Sequence, residues 1–179
     1  MKKSHKLSFF TIKKVELPIQ FCYNIRMQLL PFNENDYQTL YDFMKPLWLE
    51  TYGPILPESQ ILFLLDKYFA RDNLTSFRQR GYVYRKIDDV GVLVYLPREN
   101  DIYLDKLYLQ PHARGKEYPK HIFNELIKTY KKPIMLNVNQ ANERAVRCYE
   151  KNGFTIIKKE KIDLGNGMYN VDFVMQLSI

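Results

Sequence analysis

The stretch Leu136–Phe154, LNVNQANERAVRCYEKNGF, changes its apolar period from two to the helical three-and-four within a few residues. Leu136 and Val138 alternate with Asn137 and Asn139, the pattern of a strand. From Asn142 to Lys151 the spacing predicts a short helix, ended by Gly153 at the usual C-terminal position. On that helix Asn142 and Tyr149, seven residues apart, lie within ~20° of each other and about 10.5 Å apart along the axis, so an amide and a phenol share one face. By helical spacing alone Tyr149 packs on the sheet with Ala141, Ala145 and Cys148. Asn139 reads equally well as a helix cap. Cys148 reads as core rather than nucleophile, because no histidine close in sequence would activate it.

Upstream, PIMLNVN is one strand, preceded by a helix over Lys120–Tyr130 whose apolar stripe is Ile122, Phe123, Leu126, Ile127 and Tyr130. From Gly81 the period is two, and GYVYRKI, VGVLVYL and DIYLDKLYL read as a meander of strands two to four, with turn chemistry at Asp88, Asp89 and at Arg98–Asp101. Before them a helix over Asn35–Glu50 carries Tyr37, Leu40, Tyr41, Met44, Leu47 and Trp48 on one face, with Pro46 a kink candidate. The turn TYGPILP leads to a second helix from Pro57 to Ala70. MQLLPF reads as the first strand, and Pro31 with Asn33 to Asp36 as the turn after it. Downstream, FTIIKKEKIDL and MYNVDFVMQLSI flank Gly165, Asn166 and Gly167, a hairpin signal. This order gives an α+β fold with one mixed, mostly antiparallel sheet and helices on both faces. The helix between strands four and five requires that pair to be parallel, and its N-terminus at the carboxyl end of strand four makes an anion site.

At 179 residues and 46% hydrophobic content the chain supports one well-buried domain. Its net charge of +7 is uneven. Residues 1–26 hold six basic side chains against Glu16, which leaves 21 positive and 19 negative charges for residues 27–179. We therefore expect a basic N-terminal extension over 1–26, whether ordered, a disordered tail or the product of an upstream start codon, and a nearly neutral domain over 27–179. Nucleic-acid binding is not expected, because the basic segment carries no recognisable motif. Cys22 and Cys148 form no CxxC pair, and His5, His112 and His121 form no HxxxH or HExxH pair, so neither a metal site nor a disulfide framework is expected. Lys13, Lys14 and Glu16 interrupt the apolar run that would otherwise imitate a secretory signal, and no charge-free segment approaches the ~18 residues of a membrane span. A reducing cytoplasm is the expected compartment.

Together, DKLYLQPHARGKEYPKHIFNEL (Asp105–Leu126) and LNVNQANERAVRCYEKNGF resemble the two cofactor-binding motifs of the GNAT family of N-acetyltransferases, over residues 27–179. In the second motif Val138, Asn139, Asn142, Ala145, Tyr149, Lys151, Gly153 and Phe154 fall at the family spacing. LDKLYL and TYGPILPESQ also look like the bacterial subgroup that includes polyamine acetyltransferases. The resemblance implies that strands four and five splay apart, that Asn139 and Asn142 lie at the pantetheine arm of acetyl-CoA, and that Tyr149 stands near the thioester sulfur. A phenol of pKa near ~10 is neutral at pH 7 and can donate to a departing thiolate. It further implies that backbone groups of Leu107, Tyr108 and Leu109 pair with pantetheine and polarise the acetyl carbonyl, and that the helix start around Arg114, Gly115, Lys116, Glu117, Tyr118 and Lys120 holds the pyrophosphate.

That first motif departs from the family, which has Gly, then Gly or Ala, where Glu117 and Pro119 stand. Pro119 removes one N–H donor, although a first-turn proline suits the helix. A carboxylate about 4 Å from a phosphate charge costs roughly 1 kcal/mol in water and roughly 4 kcal/mol at a surface-like dielectric, a weakening of about tenfold to a thousandfold. Turned outward, Glu117 would instead be favoured by the helix dipole. Two readings follow. One is direct acyl transfer from acetyl-CoA to a primary amine of a small molecule or protein, with Asp105, Glu50 or Asp172 as the open choices for the base. The other is a regulatory or interaction module of the same fold with weakened acetyl-CoA binding. A homodimer is compatible with either.

Overall fold

The computed structural model describes residues 27–32, 36–165 and 168–179. The expected basic extension over 1–26, the turn residues 33–35 and the hairpin tip at Asn166 and Gly167 lie outside the described residues. The chain runs β1 (Leu29–Pro31), α1 (Tyr37–Tyr52), α2 (Glu58–Phe69), α3 (Arg71–Gln79), β2 (Val83–Ile87), β3 (Gly91–Pro97), β4 (Ile102–Leu109), α4 (Tyr118–Tyr130), β5 (Ile134–Asn139), α5 (Glu143–Lys151), β6 (Thr155–Gly165) and β7 (Met168–Leu177). Helix α3 is absent from the sequence expectation. RDNLTSFRQ offers only Leu74 and Phe77 as apolar residues, too few to show a period, and the extended Ala70 (φ −64°, ψ 145°) separates it from α2. Burial of Leu74 under the sheet, rather than local pattern, holds this helix.

Seven strands form one sheet in the order β1-β2-β3-β4-β5-β7-β6. Only β4 and β5 pair in parallel, as the intervening helix requires. Their pairing lasts three residues, from Ile102 opposite Ile134 to Leu104 opposite Leu136. Beyond Leu104 the two strands diverge, and β4 keeps only β3 as a partner. At the same point the β3–β4 register shifts between Val94, opposite Lys106, and Tyr95, opposite Leu104, so Asp105 is an extra residue. A bulge of this kind bends a strand and reverses its alternation. Ile102 and Leu104 face one core before it, and Leu107 and Leu109 face that same core after it.

Two hydrophobic clusters sandwich the sheet. On one face α4 and α5 contribute Ile122, Phe123, Leu126 and Val146, packed on Leu93, Leu104 and Leu136. On the other, α1, α2 and α3 contribute Met44, Trp48, Leu65, Phe69 and Leu74, packed on Tyr84, Val92 and Val94. Each fully buried side chain of this size stabilises the fold by about 1.5–3 kcal/mol relative to exposure. Among the described residues no helix is long and apolar enough to cross a membrane.

Candidate functional site

The divergence of β4 from β5 leaves a cavity on each face of β4. On the α4–α5 face a cavity of about 150 Å³ is lined by Leu107, Leu109, Gly115, Pro119, Asn142 and Tyr149. Asn142 is the N-cap of α5, its Oδ1 accepting from the Ala145 N–H at 3.2 Å. Asn139 makes the preceding turn instead, its Oδ1 accepting from the Ala141 N–H at 2.9 Å. The two asparagines thus stiffen the passage from β5 into α5, and the cap hydrogen bond leaves the Asn142 amide at the cavity wall. Seven residues on, the half-buried Tyr149 ring packs against Phe154 at 5.4 Å and Phe123 at 6.2 Å between centroids. Burial raises its phenol above the ordinary range, so it stays protonated at neutral pH.

Helix α4 begins at Tyr118 with no side-chain cap, so its first N–H groups are without intrahelical partners at the rim of this cavity. Gly115 precedes it at φ +72°, a left-handed conformation that favours glycine, and a Cβ there would meet nothing within 4 Å. Open space, a positive helix end and apolar β4 side chains form a cradle that fits an anionic diphosphate leading into a narrow arm. Arg114 is tied down rather than free. Its fork donates to both carboxylate oxygens of Glu50 at 2.5 and 2.7 Å, and its Nε donates to the Leu109 carbonyl at 3.0 Å. Arg144 reaches the same Glu50 at 3.4 Å. These two cations, Arg114 foremost, hold the Glu50 carboxyl down at about 2 against the opposing effect of its partial desolvation. Glu117 faces solvent at 61% side-chain exposure and pairs with Lys120 at 3.3 Å.

Of the site residues expected from sequence, Leu107, Leu109, Arg114, Gly115, Asn142 and Tyr149 come together around this cavity. Lys116, Glu117 and Lys120 stand on the exposed rim, Tyr118 packs into the core, and Asn139 lies behind α5's cap. Tyr108 points to the opposite face. Arg144 and Cys148 also line the cavity and were not expected there; their helical spacing from Asn142 and Tyr149 was the available signal.

On the α1–α2 face a second cavity, of about 220 Å³, is walled by Trp48, Tyr52, Tyr68 and Tyr108 and floored by Asp105, Lys106 and Asp172. Consecutive strand residues normally point to opposite faces, and the bulge at Asp105 is what brings both Asp105 and Lys106 to this one. Lys106 is 8% exposed, ion-paired with Asp105, and its Nζ lies 4.5 Å from the Tyr68 ring centre. The Tyr52 and Tyr108 hydroxyls hydrogen-bond at 2.9 Å. Asp172, also 8% exposed, faces Asn139 on β5 and Glu160 on β6 in register. Burial, then the Glu160 charge, raises its carboxyl to about 6. Asp172 Oδ1 and Trp48 Nε1 are buried without a hydrogen-bond partner among the described residues. Native structures leave few such atoms, and both of these residues line this one cavity. Sequence reading offered Asp172 and Asp105 only as two of three equivalent acids; Lys106, Trp48 and the tyrosines carried no signal of their own.

A profile of the Acetyltransferase (GNAT) family matches residues 37–154. No curated protein matches the chain in sequence. Among solved structures it is similar to the PaiA N-acetyltransferase of Thermoplasma acidophilum in complex with coenzyme A, at 23% identity and TM-score 0.68, over 86% of this chain and 99% of that one. It is also similar to the spermidine N-acetyltransferase of Vibrio cholerae in complex with CoA and spermine, at 16% identity and TM-score 0.58, over 87% and 96%. A third is the microcin C7 self-immunity acetyltransferase MccE with acetyl-CoA and AMP, at 16% identity and TM-score 0.59, over 87% and 94%.

Proposed function

The chain belongs to the acetyltransferase (GNAT) family, and from that premise we propose that it transfers acetyl from acetyl-CoA to the primary amine of a small molecule, with each substrate entering from its own face of β4. The observation that carries this reading is the pair of cavities on either side of the split between β4 and β5, sharing β4 as their wall. Leu107 and Leu109 face the acetyl-CoA side, and Asp105, Lys106 and Tyr108 face the acceptor side. A carbonyl held at the split is within reach of a nucleophile from the second cavity, an arrangement that converts a bimolecular encounter into an oriented one.

In the reaction the amine nitrogen forms a bond to the acetyl carbon and the carbon–sulfur bond breaks; of the two protons the nitrogen sheds, one, lost after attack, replaces the proton delivered to the departing sulfur, and the other leaves the ammonium before attack. Asp172 is the group that accepts that proton, directly or through one water. The other two acids are unsuited. Glu50 is held ionised by Arg114 and Arg144 on the wrong face, and Asp105 is neutralised by Lys106. Asp172 has an unpartnered oxygen inside the cavity and a carboxyl raised towards the working range of a base. Tyr149, protonated and on the sulfur side of β4, donates to the departing thiolate. The alternative of an interaction module rested on Glu117 and Pro119; a Glu117 turned to solvent and paired with Lys120 weakens the first motive, and Pro119 in the first turn of α4 withholds one N–H donor only.

Calorimetric titration with acetyl-CoA at moderate salt, followed by thiol release with primary amines, tests the proposal. We expect a dissociation constant in the tens of micromolar or lower, about −6 kcal/mol or better. No heat and no thermal shift with acetyl-CoA would overturn it.

A further inference from the structure

We infer that the acceptor is a compact amine with a single positive charge, because Lys106 already occupies, as part of the chain, the place of a second cation. The inference rests on the transferase reading above and goes further by naming the acceptor's charge.

The charge inventory of the α1–α2 cavity leads to it. Among the described residues its lining holds two carboxylates, Asp105 and Asp172, and one ammonium, Lys106. The Lys106 ammonium is ion-paired with Asp105 and lies over the Tyr68 ring at 4.5 Å and near Phe69 at 5.8 Å. Carboxylate plus aromatic face is the environment that an alkylammonium ligand would seek, and here the chain's own side chain fills it. One acid, Asp172, then remains for the incoming amine, so the cavity offers one negative charge. A diamine entering with two charges would meet Asp172 with one end and the Lys106 ammonium with the other, a like-charge encounter in a half-enclosed site. Size acts in the same direction. At about 220 Å³ the cavity falls below the ~300 Å³ at which ordinary ligand sites begin, so a long polyamine would not be enclosed. The aromatic wall of Trp48, Tyr52 and Tyr108 favours an acceptor with an apolar body behind its nitrogen.

The test compares hexylamine and phenethylamine with 1,6-diaminohexane and spermidine as acceptors for the full-length wild-type protein, for Lys106→Met, and for the double variant Asp105→Asn with Lys106→Met. We expect kcat/KM in the wild type to favour the monoamines by at least ~10-fold over either polycation. Lys106→Met exposes Asp105 to the acceptor and reverses or abolishes that preference. The double variant returns the cavity to one negative charge and restores preference for the monoamines, and should Lys106→Met fail to fold, the wild-type preference itself decides. A diamine preferred by the wild type, or a monoamine preference unmoved in Lys106→Met, overturns the inference while leaving the transferase reading intact. Acetyl-CoA binding with no amine acetylated overturns both.

Discussion

The two cavities share β4 as a wall and treat their charged groups in opposite ways. On the α4–α5 face the ionisable side chains are spent on one another: Arg114 and Arg144 converge on Glu50, and Glu117 takes Lys120. What remains open there includes backbone, the uncapped start of α4 and the edge of β4, beside the Asn142 amide and the Tyr149 phenol. On the α1–α2 face Asp105 and Lys106 cancel, but Asp172 Oδ1 and Trp48 Nε1 are buried with nothing to bind among the described residues. In the proposed reading the anionic cosubstrate is held largely by main-chain dipoles, which do not titrate. In the same reading the proton is taken by a poorly solvated side chain, because burial moves a carboxyl's titration towards neutral pH.

The contrast breaks most sharply at Asp172. Asp172→Asn is expected to lower kcat/KM by about 10²–10⁴-fold and to remove the limb of the pH–rate profile near 6, below which the wild-type base is protonated. Burial and the Glu160 charge on β6 set this titration, and Asp105 and Lys106 on β4 with Tyr52 and Tyr68 on α1 and α2 line the same cavity. The same substitution should raise the melting temperature at pH 7. The folded-state value of about 6 lies above the unfolded 3.8, so the ionised carboxylate destabilises the fold fully above pH 6, by up to about 3 kcal/mol, and this cost disappears as pH falls below 4. A variant less active and less stable would assign Asp172 to the scaffold.

Tyr149→Phe comes next. We expect kcat to fall by about 10–100-fold with KM nearly unchanged, as for a group used only as the sulfur departs. Pure loss of thermal stability, with kcat preserved, would return Tyr149 to packing against Phe123 and Phe154.

Glu50→Gln tests whether the ion pairs on the acetyl-CoA side are structural. Glu50 has its folded-state carboxyl lowered from 4.5 to about 2, so its pairs stabilise above pH 4.5 and their contribution is lost as pH falls towards 2. With the Glu50 side chain 42% exposed and screened by solvent, the effect should stay under about 1 kcal/mol, a drop of roughly 2–4 °C at pH 7 that narrows on acidification. The smallest effect belongs to Glu117→Gly. Since that carboxylate faces solvent, acetyl-CoA affinity should change by less than about threefold, and a tightening of tenfold or more would show that it turns inward on binding.

Much of the α4–α5 cavity was legible because its signals are local. Asn142 and Tyr149 lie on one helix, and Gly115 and Pro119 flank one helix start, so spacing alone brings them together. Even there, the assignment of Asn142 rather than Asn139 as the cap needed the actual backbone. On the α1–α2 face the sequence offers the elements, helices one and two, the TYGPILP turn and the C-terminal hairpin, but not which side chains meet, because Trp48, Tyr68, Lys106 and Asp172 come from α1, α2, β4 and β7 and converge only when the sheet closes. Helix α3 escaped for a related reason, since its one buried residue, Leu74, is held by the sheet rather than by a repeating stripe.

The sequence by itself determined the order of most elements, the parallel pairing of β4 with β5 and the helix that carries Asn142 and Tyr149, since period, turn chemistry and chain connectivity act between near neighbours. Only the tertiary structure separated the three acids by their surroundings, which is what supports Asp172 as the proposed base, and buried the Lys106 ammonium beside Asp105. A carboxylate's role depends on which charges and how much water surround it, and those are set by strands and helices distant in the chain.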